Sequence, residues 1–163
     1  MPELQSANAA ASAATESSAA MADTTLHIER VFDVPVETVY RAWTDPKMLV
    51  QWWGPEGMTT PHCEMDVRVD GKYRTCMQGA DGDHWVQGSY VEIIENEKLV
   101  FTWAWETDGV PGDVTTVTVT FEPEGDSTRL TLTHEGFANA DSRNGHDKGW
   151  RSSFDCLDKH LKH

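Results

Sequence analysis

The side chains best equipped for chemistry are few and poorly matched to one another. His134 and Glu135 are adjacent and together would make an acid–base pair. They fall in a stretch that alternates apolar and polar residues, and neighbours on a strand point to opposite faces. Only one of them can therefore face an interior, unless the strand has ended before Glu135. His134 shares the apolar side with Leu130 and Leu132 and is the single best candidate for a polar group inside a cavity. Asp66 and Arg68 look reactive but fit a surface strand. His62-Cys63, with Cys76 or His84 further along, invites a metal reading. The ligand spacings typical of metal sites are missing, so these read as ordinary strand residues and no metal or other cofactor is expected. No nucleophile elbow, HExxH, Gly-rich phosphate loop or dinucleotide fingerprint is present, so no catalytic motif is found and enzymatic activity stays open.

Composition narrows the partners. The 163 residues suffice for one domain with a real core and are too few for two. Lys and Arg number 13 against 27 Asp and Glu, a net charge of −14. Polyanions and anionic membranes meet such a surface unfavourably, so neither nucleic acid nor a membrane is expected as a partner. The three cysteines (Cys63, Cys76, Cys156) are odd in number, lack a CxxC pair and form no disulfide framework. No apolar run approaches the roughly 18–20 residues needed to cross a bilayer. Residues 1–24 contain no Lys, Arg or continuous apolar block, which speaks against a secretory signal and for a cytoplasmic location. That segment is rich in Ala and Ser, has almost no branched aliphatics, and is expected to be disordered and dispensable, with Met21 a possible start of the folded unit.

From Thr25 onward the pattern is that of packed structure. Leu26, Ile28 and Phe32 alternate with polar residues as in a strand. Pro35 opens a helix whose Val36, Val39, Tyr40 and Trp43 share a face, and Asp45-Pro46 ends it and caps a shorter helix through Trp53. Between His62 and His134, short strands alternate with turn signals, which predicts one antiparallel sheet. Leu99, Phe101, Trp103 and Trp105 share a face, as do Val117, Val119 and Phe121, with Thr-rich stretches opposite. Trp150, Phe154, Leu157 and Leu161 then form one helical stripe, in a helix starting between about 139 and 147. At Val69-Asp70-Gly71 a three-residue hairpin loop with Gly71 at positive φ is expected, pairing Arg68 with Lys72, Val67 with Tyr73 and Asp66 with Arg74.

Several segments sharpen this order of elements. Pro35–Pro46 (PVETVYRAWTDP), Gln51–Pro55 (QWWGP), Asp66–Tyr73 (DVRVDGKY) and Gly149-Trp150 resemble the activator of heat-shock protein 90 ATPase homologue-like family of the START-like (SRPBCC) superfamily. Val69 and Asp70 stand where that family usually has Pro and Gly. The resemblance covers 25–163 as one domain. It implies an α+β helix-grip fold: a curved antiparallel sheet of about seven strands wrapped around a long C-terminal helix, with two short helices between strands 1 and 2. It also implies a cavity between sheet and helix with its mouth near the short helices. The residues expected to line it are Tyr73, Trp103, Trp105, Val119, Leu132 and His134, with Trp150 and Phe154 from the helix and Gly88 leaving room. Members include hydrophobic-ligand binders and co-chaperone domains that act on a chaperone ATPase. Two functions therefore stand: binding of a small apolar or aromatic molecule, or binding of a protein partner. The additional N-terminal domain of full co-chaperones is missing from these residues, which favours the first.

Overall fold

The computed structural model describes residues 24–161. All of the expected tail except Thr24 lies outside the described residues. The strands are β1 (Thr25–Phe32), β2 (Thr59–Met65), β3 (Lys72–Gly79), β4 (Gly82–Ile94), β5 (Lys98–Thr107), β6 (Val110–Pro111), β7 (Thr115–Glu124) and β8 (Ser127–Glu135). The helices are α1 (Val36–Thr44), α2 (Pro46–Leu49) and α3 (Ala140–Leu161). Seven strands run in the order β1-β8-β7-β5-β4-β3-β2, all neighbours antiparallel, and the two-residue β6 pairs only with β5. With α1 and α2 between β1 and β2, and the long α3 against the sheet, the architecture is the helix-grip α+β fold.

Each element follows from local chemistry. Asp45 terminates α1 in extended conformation and its carboxylate accepts a 2.9 Å hydrogen bond from the Lys47 amide, capping α2. Helix α2 is shorter than expected, ending at Leu49, with turns carrying the chain on to Trp52. Asn139 caps α3 through a 2.9 Å bond from the Ser142 amide to its side-chain oxygen, which fixes the helix start. The inward residues of β1, β5, β7 and β8 alternate as the pattern predicts, and Phe154 and Leu157 of α3 are fully buried against them. Trp43 is the hub of the core. Its ring stacks on Trp150 at 5.9 Å and meets Trp52 at 4.8 Å and Phe154 at 6.1 Å.

The β2–β3 connection differs from the expected hairpin. Met65 pairs with Tyr73 and Glu64 with Arg74, a register two residues away from the expected one, so the loop spans 66–71. A slip of two keeps every side chain on its face, and Tyr73 is buried while Glu64 and Lys72 are exposed, as the pattern requires. The loop is longer because it docks on β4: the Asp70 amide donates to the Tyr90 carbonyl and the Tyr90 amide to that of Gly71. Asp70, not Gly71, takes the left-handed conformation (φ 69°), which Asp tolerates. Gly71 is required for space instead, since a Cβ there would lie 2.0 Å from the Asp66 carbonyl oxygen. Arg74 accordingly pairs with Glu106 of β5 in a bidentate fork (2.8 and 2.9 Å), while Asp66 bonds Arg68.

Gly88 plays a different part from the one expected. A Cβ at this position would stand 1.9 Å from the Thr102 carbonyl oxygen and 2.7 Å from the Tyr73 ring. The Tyr73 ring covers the bare backbone, and its hydroxyl donates to that same carbonyl at 2.5 Å. The missing side chain thus makes room for strand packing rather than for a ligand. Replacing Gly88 with Ala should cost about 3 kcal/mol or more, beyond ordinary overpacking because one clashing atom is backbone. Urea denaturation measures this, and an unchanged midpoint would show that β4 relaxes freely.

Candidate functional site

A cavity of about 380 Å³ lies between α3, β5, the β3–β4 turn and the loop that follows α2. Its wall is mostly carbon, contributed by Trp53, Met58, Met77, Trp103, Trp105 and Trp150. Its rim is polar: Asp81 and His84 from the β3–β4 hairpin, and Asp141, Ser142 and His146 from the first turns of α3. Asp81 and Asp141 are both exposed, so the rim reaches solvent. The helix presents the face that repeats every three or four residues, Asp141, Gly145, Gly149 and Ser153, with His146 and Trp150 beside it. A Cβ at Gly145 would meet nothing within 4 Å, so this glycine is open space.

The wall is held by hydrogen bonds that leave little freedom. Trp53 donates its indole N–H to Thr75 at 3.0 Å, Trp105 to Nε2 of His146 at 2.7 Å, and Trp150 to Nδ1 of His134 at 3.1 Å. An indole N–H only donates, so both imidazole nitrogens that face tryptophans are bare acceptors. The other nitrogens therefore carry the protons. His134 Nε2–H donates to the Thr115 hydroxyl at 2.6 Å, which passes its own proton to the Trp103 carbonyl at 3.1 Å. His146 Nδ1–H donates to the Ser142 carbonyl at 2.8 Å. Both imidazoles are thus locked neutral. Burial, reinforced by the neighbouring His146, pushes the His134 pKa down to about 3, and burial also lowers that of His146 against the opposing pull of the Ser142 carbonyl. Trp103, 5.4 Å from Trp105 and 5.2 Å from Trp150, packs between these pairs, and its N–H has no partner among the described residues.

Of the residues expected to line the cavity, Trp103, Trp105 and Trp150 stand on its wall. His134 does not: it is fully buried one layer behind Trp150 and holds that ring in place. Val119 and Leu132 are a cross-strand pair with no exposed surface, and Phe154 packs edge-on against Phe32 in the core. Tyr73 borders a separate void of about 20 Å³ beside Tyr90 and Phe101, room for a single water, so it is a core residue. Glu135, exposed on the far side of β8, forms no pair with His134. Trp53, Met77, His146 and the glycine face of α3 were not anticipated. The i, i+4 spacing of Asp141, Gly145, Gly149 and Ser153 was the signal. Among the described residues no three metal-ligating side chains converge, and no helix is long and apolar enough to cross a membrane.

The buried imidazole makes stability depend on pH with a definite sign. The folded pKa of His134 lies below its usual value of 6.5, so between 6.5 and about 3 the unfolded chain binds a proton that the folded chain refuses. Stability is therefore full above that window and falls as pH drops through it. From about pH 6.5 to about pH 4 the loss from this residue is of order 3 kcal/mol. His134→Phe should remove about one proton from the pH slope while costing about 1–3 kcal/mol at neutral pH, because it strands the Trp150 N–H. Urea denaturation across this range measures both, and an unaltered slope in the variant would refute the assignment.

Comparison with known proteins agrees with this architecture. Residues 33–162 match the family described as Activator of Hsp90 ATPase homolog 1-like protein. The AHSA1 protein of Silicibacter pomeroyi is 30% identical, with 85% of this chain and 97% of that one covered and a TM-score of 0.76. A protein from Chromobacterium violaceum is 28% identical, covering 86% of this chain and 99% of that one at a TM-score of 0.76. The solution structure of a protein from Arthrobacter aurescens is also 28% identical, covering 86% and 87% at 0.77. Among curated proteins nothing matches. With most of its length matched by the family and the helix-grip architecture in place, this chain belongs to the Activator of Hsp90 ATPase homolog 1-like family.

Proposed function

We propose that this protein binds a small apolar or aromatic molecule in the cavity beneath α3, as a cytoplasmic carrier or sensor. The observation that carries this reading is the tryptophan-walled cavity of about 380 Å³, a size within the range of small-molecule sites. Three of its four indoles are fixed by hydrogen bonds before any ligand arrives, so little side-chain entropy remains to be lost on binding. Glycines at 145 and 149 keep the helical wall bare, although each weakens the helix by roughly 0.5–1 kcal/mol relative to alanine. A wall built only for stability would carry side chains there.

The family's association with a chaperone ATPase supports a second reading, a protein-binding module. The exposed Val110 of β6 and Val114 just after that segment are the apolar surface such a partner would use. The two readings separate on one residue. Gly145→Ala should stabilise the protein by about 0.5–1 kcal/mol through helix propensity. Gly145→Leu should fill the cavity and weaken binding of an aromatic probe, followed by tryptophan fluorescence, by at least about tenfold while the protein stays folded. Native mass spectrometry of protein from its own host should show a bound small molecule. If Gly145→Leu binds the probe as well as the parent, and no molecule co-purifies, the cavity reading falls and the protein-binding reading leads.

A further inference from the structure

We propose that the cavity selects organic cations: small molecules whose apolar or aromatic body carries a protonated amine or quaternary ammonium group. This rests on the binding role of the same cavity and adds the charge of its ligand.

The argument starts from the tryptophans. An indole offers a negative face and a positive N–H edge. The positive edges of Trp53, Trp105 and Trp150 are taken up by Thr75, His146 and His134. The rings are mutually inclined, Trp53 at 52° to Trp103 and at 82° to Trp150, and Trp103 at 88° to Trp105. Non-parallel rings, three of the four with engaged N–H edges and the Trp103 N–H buried, form a box of the kind that attracts a cation, and tryptophan is the strongest of the aromatic side chains in this respect.

The rim adds charge of one sign. Asp81 and Asp141 contribute two carboxylates, while among the described residues no Lys or Arg lines the cavity. The bonds to Trp105 and to the Ser142 carbonyl hold His146 in its neutral form. His84 lies 3.2 Å from Asp81, whose carboxyl that hydrogen bond holds below the usual carboxylate range. An anionic ligand would face two carboxylates, and the one basic group of the rim, His84, is already engaged by Asp81. A neutral ligand would use the rings and leave the carboxylates to water. Only a cation uses both surfaces. The net charge of −14 draws a cation towards the molecule as a whole.

The test uses one aromatic body in three charge states: naphthylmethyltrimethylammonium, naphthylmethanol and naphthoate, titrated into the full chain at neutral pH and followed by calorimetry and tryptophan fluorescence. The cation should bind about tenfold more tightly than the alcohol, with naphthoate weakest. The double variant Asp81→Asn, Asp141→Asn, changed only at exposed positions, should narrow the cation's advantage over the alcohol severalfold, the rings keeping the rest, and an unchanged ratio would take the carboxylates out of the selection. Should the alcohol or naphthoate bind the parent as tightly as the cation, selection by charge is wrong while the cavity remains a binding site. If none of the three binds, both this proposal and the cavity reading fail together.

Discussion

A histidine can be withdrawn completely from water only as a neutral ring with both nitrogens occupied, because an unpaired polar atom or a charge in that position costs several times what a hydrogen bond returns. His134 meets this demand with Trp150 on one side and Thr115 on the other. Each partner belongs to a different element, so satisfying one imidazole ties α3 and β7 to β8. Trp150 held in this way can stack on Trp43, and Trp43 in turn gathers Trp52, Phe101, Phe121 and Phe154 into one aromatic core. The second imidazole, His146, repeats the logic nearer the surface and fixes Trp105. The bonds that satisfy the two imidazoles therefore also fix two of the four indoles of the cavity wall.

Much of the fold is legible in residue order. The inward faces of β5, β7 and β8, the stripe of α3 and the helix break at Asp45-Pro46 follow from periods of 2 and 3.6 and from proline chemistry, which are local. The site is less legible because alternation tells which face a side chain occupies but not how deep it lies. Val119 and Trp103 share a face of the sheet, yet one ends in the core and the other at a cavity, a difference set by what α3 places opposite them. Tyr73 illustrates the same limit: its ring covers Gly88 and leaves only space for one water beside it. The β2–β3 register escaped because it depends on a bond from the loop to Tyr90, about twenty residues further along. The glycines of α3 were readable as weak points of a helix. That they leave a hollow depends on Trp53 and Trp105 standing across from them.

The two faces of the sheet solve different problems. Inside, polar atoms are few, and the buried imidazole of His134 has a partner for each nitrogen. Outside, the Arg74–Glu106 fork, joined by Gln87 and capped by Trp85 at 4.0 Å from the guanidinium carbon, pins β3, β4 and β5 with charge-assisted bonds. The Glu106 carboxylate is almost wholly covered and held below its usual pKa chiefly by the Arg74 hydrogen bond. That cluster stiffens the strands behind Trp103 and Trp105 from the convex side, so the geometry of the wall does not rely on the helix alone.

Among the described residues, the last strand in the sheet order, β2, has no neighbour on its outer side. An unprotected border of this kind offers amides and carbonyls to any passing chain and is where sheets grow into aggregates. Here Pro61 sits exposed in the middle of the strand, within the irregular stretch between Thr59 and His62 where pairing with β3 shifts. Proline has no amide hydrogen to offer and the irregularity breaks the even spacing that a docking strand would need. The fold thus ends itself at β2, whose outer side is kept from becoming a docking edge for other chains.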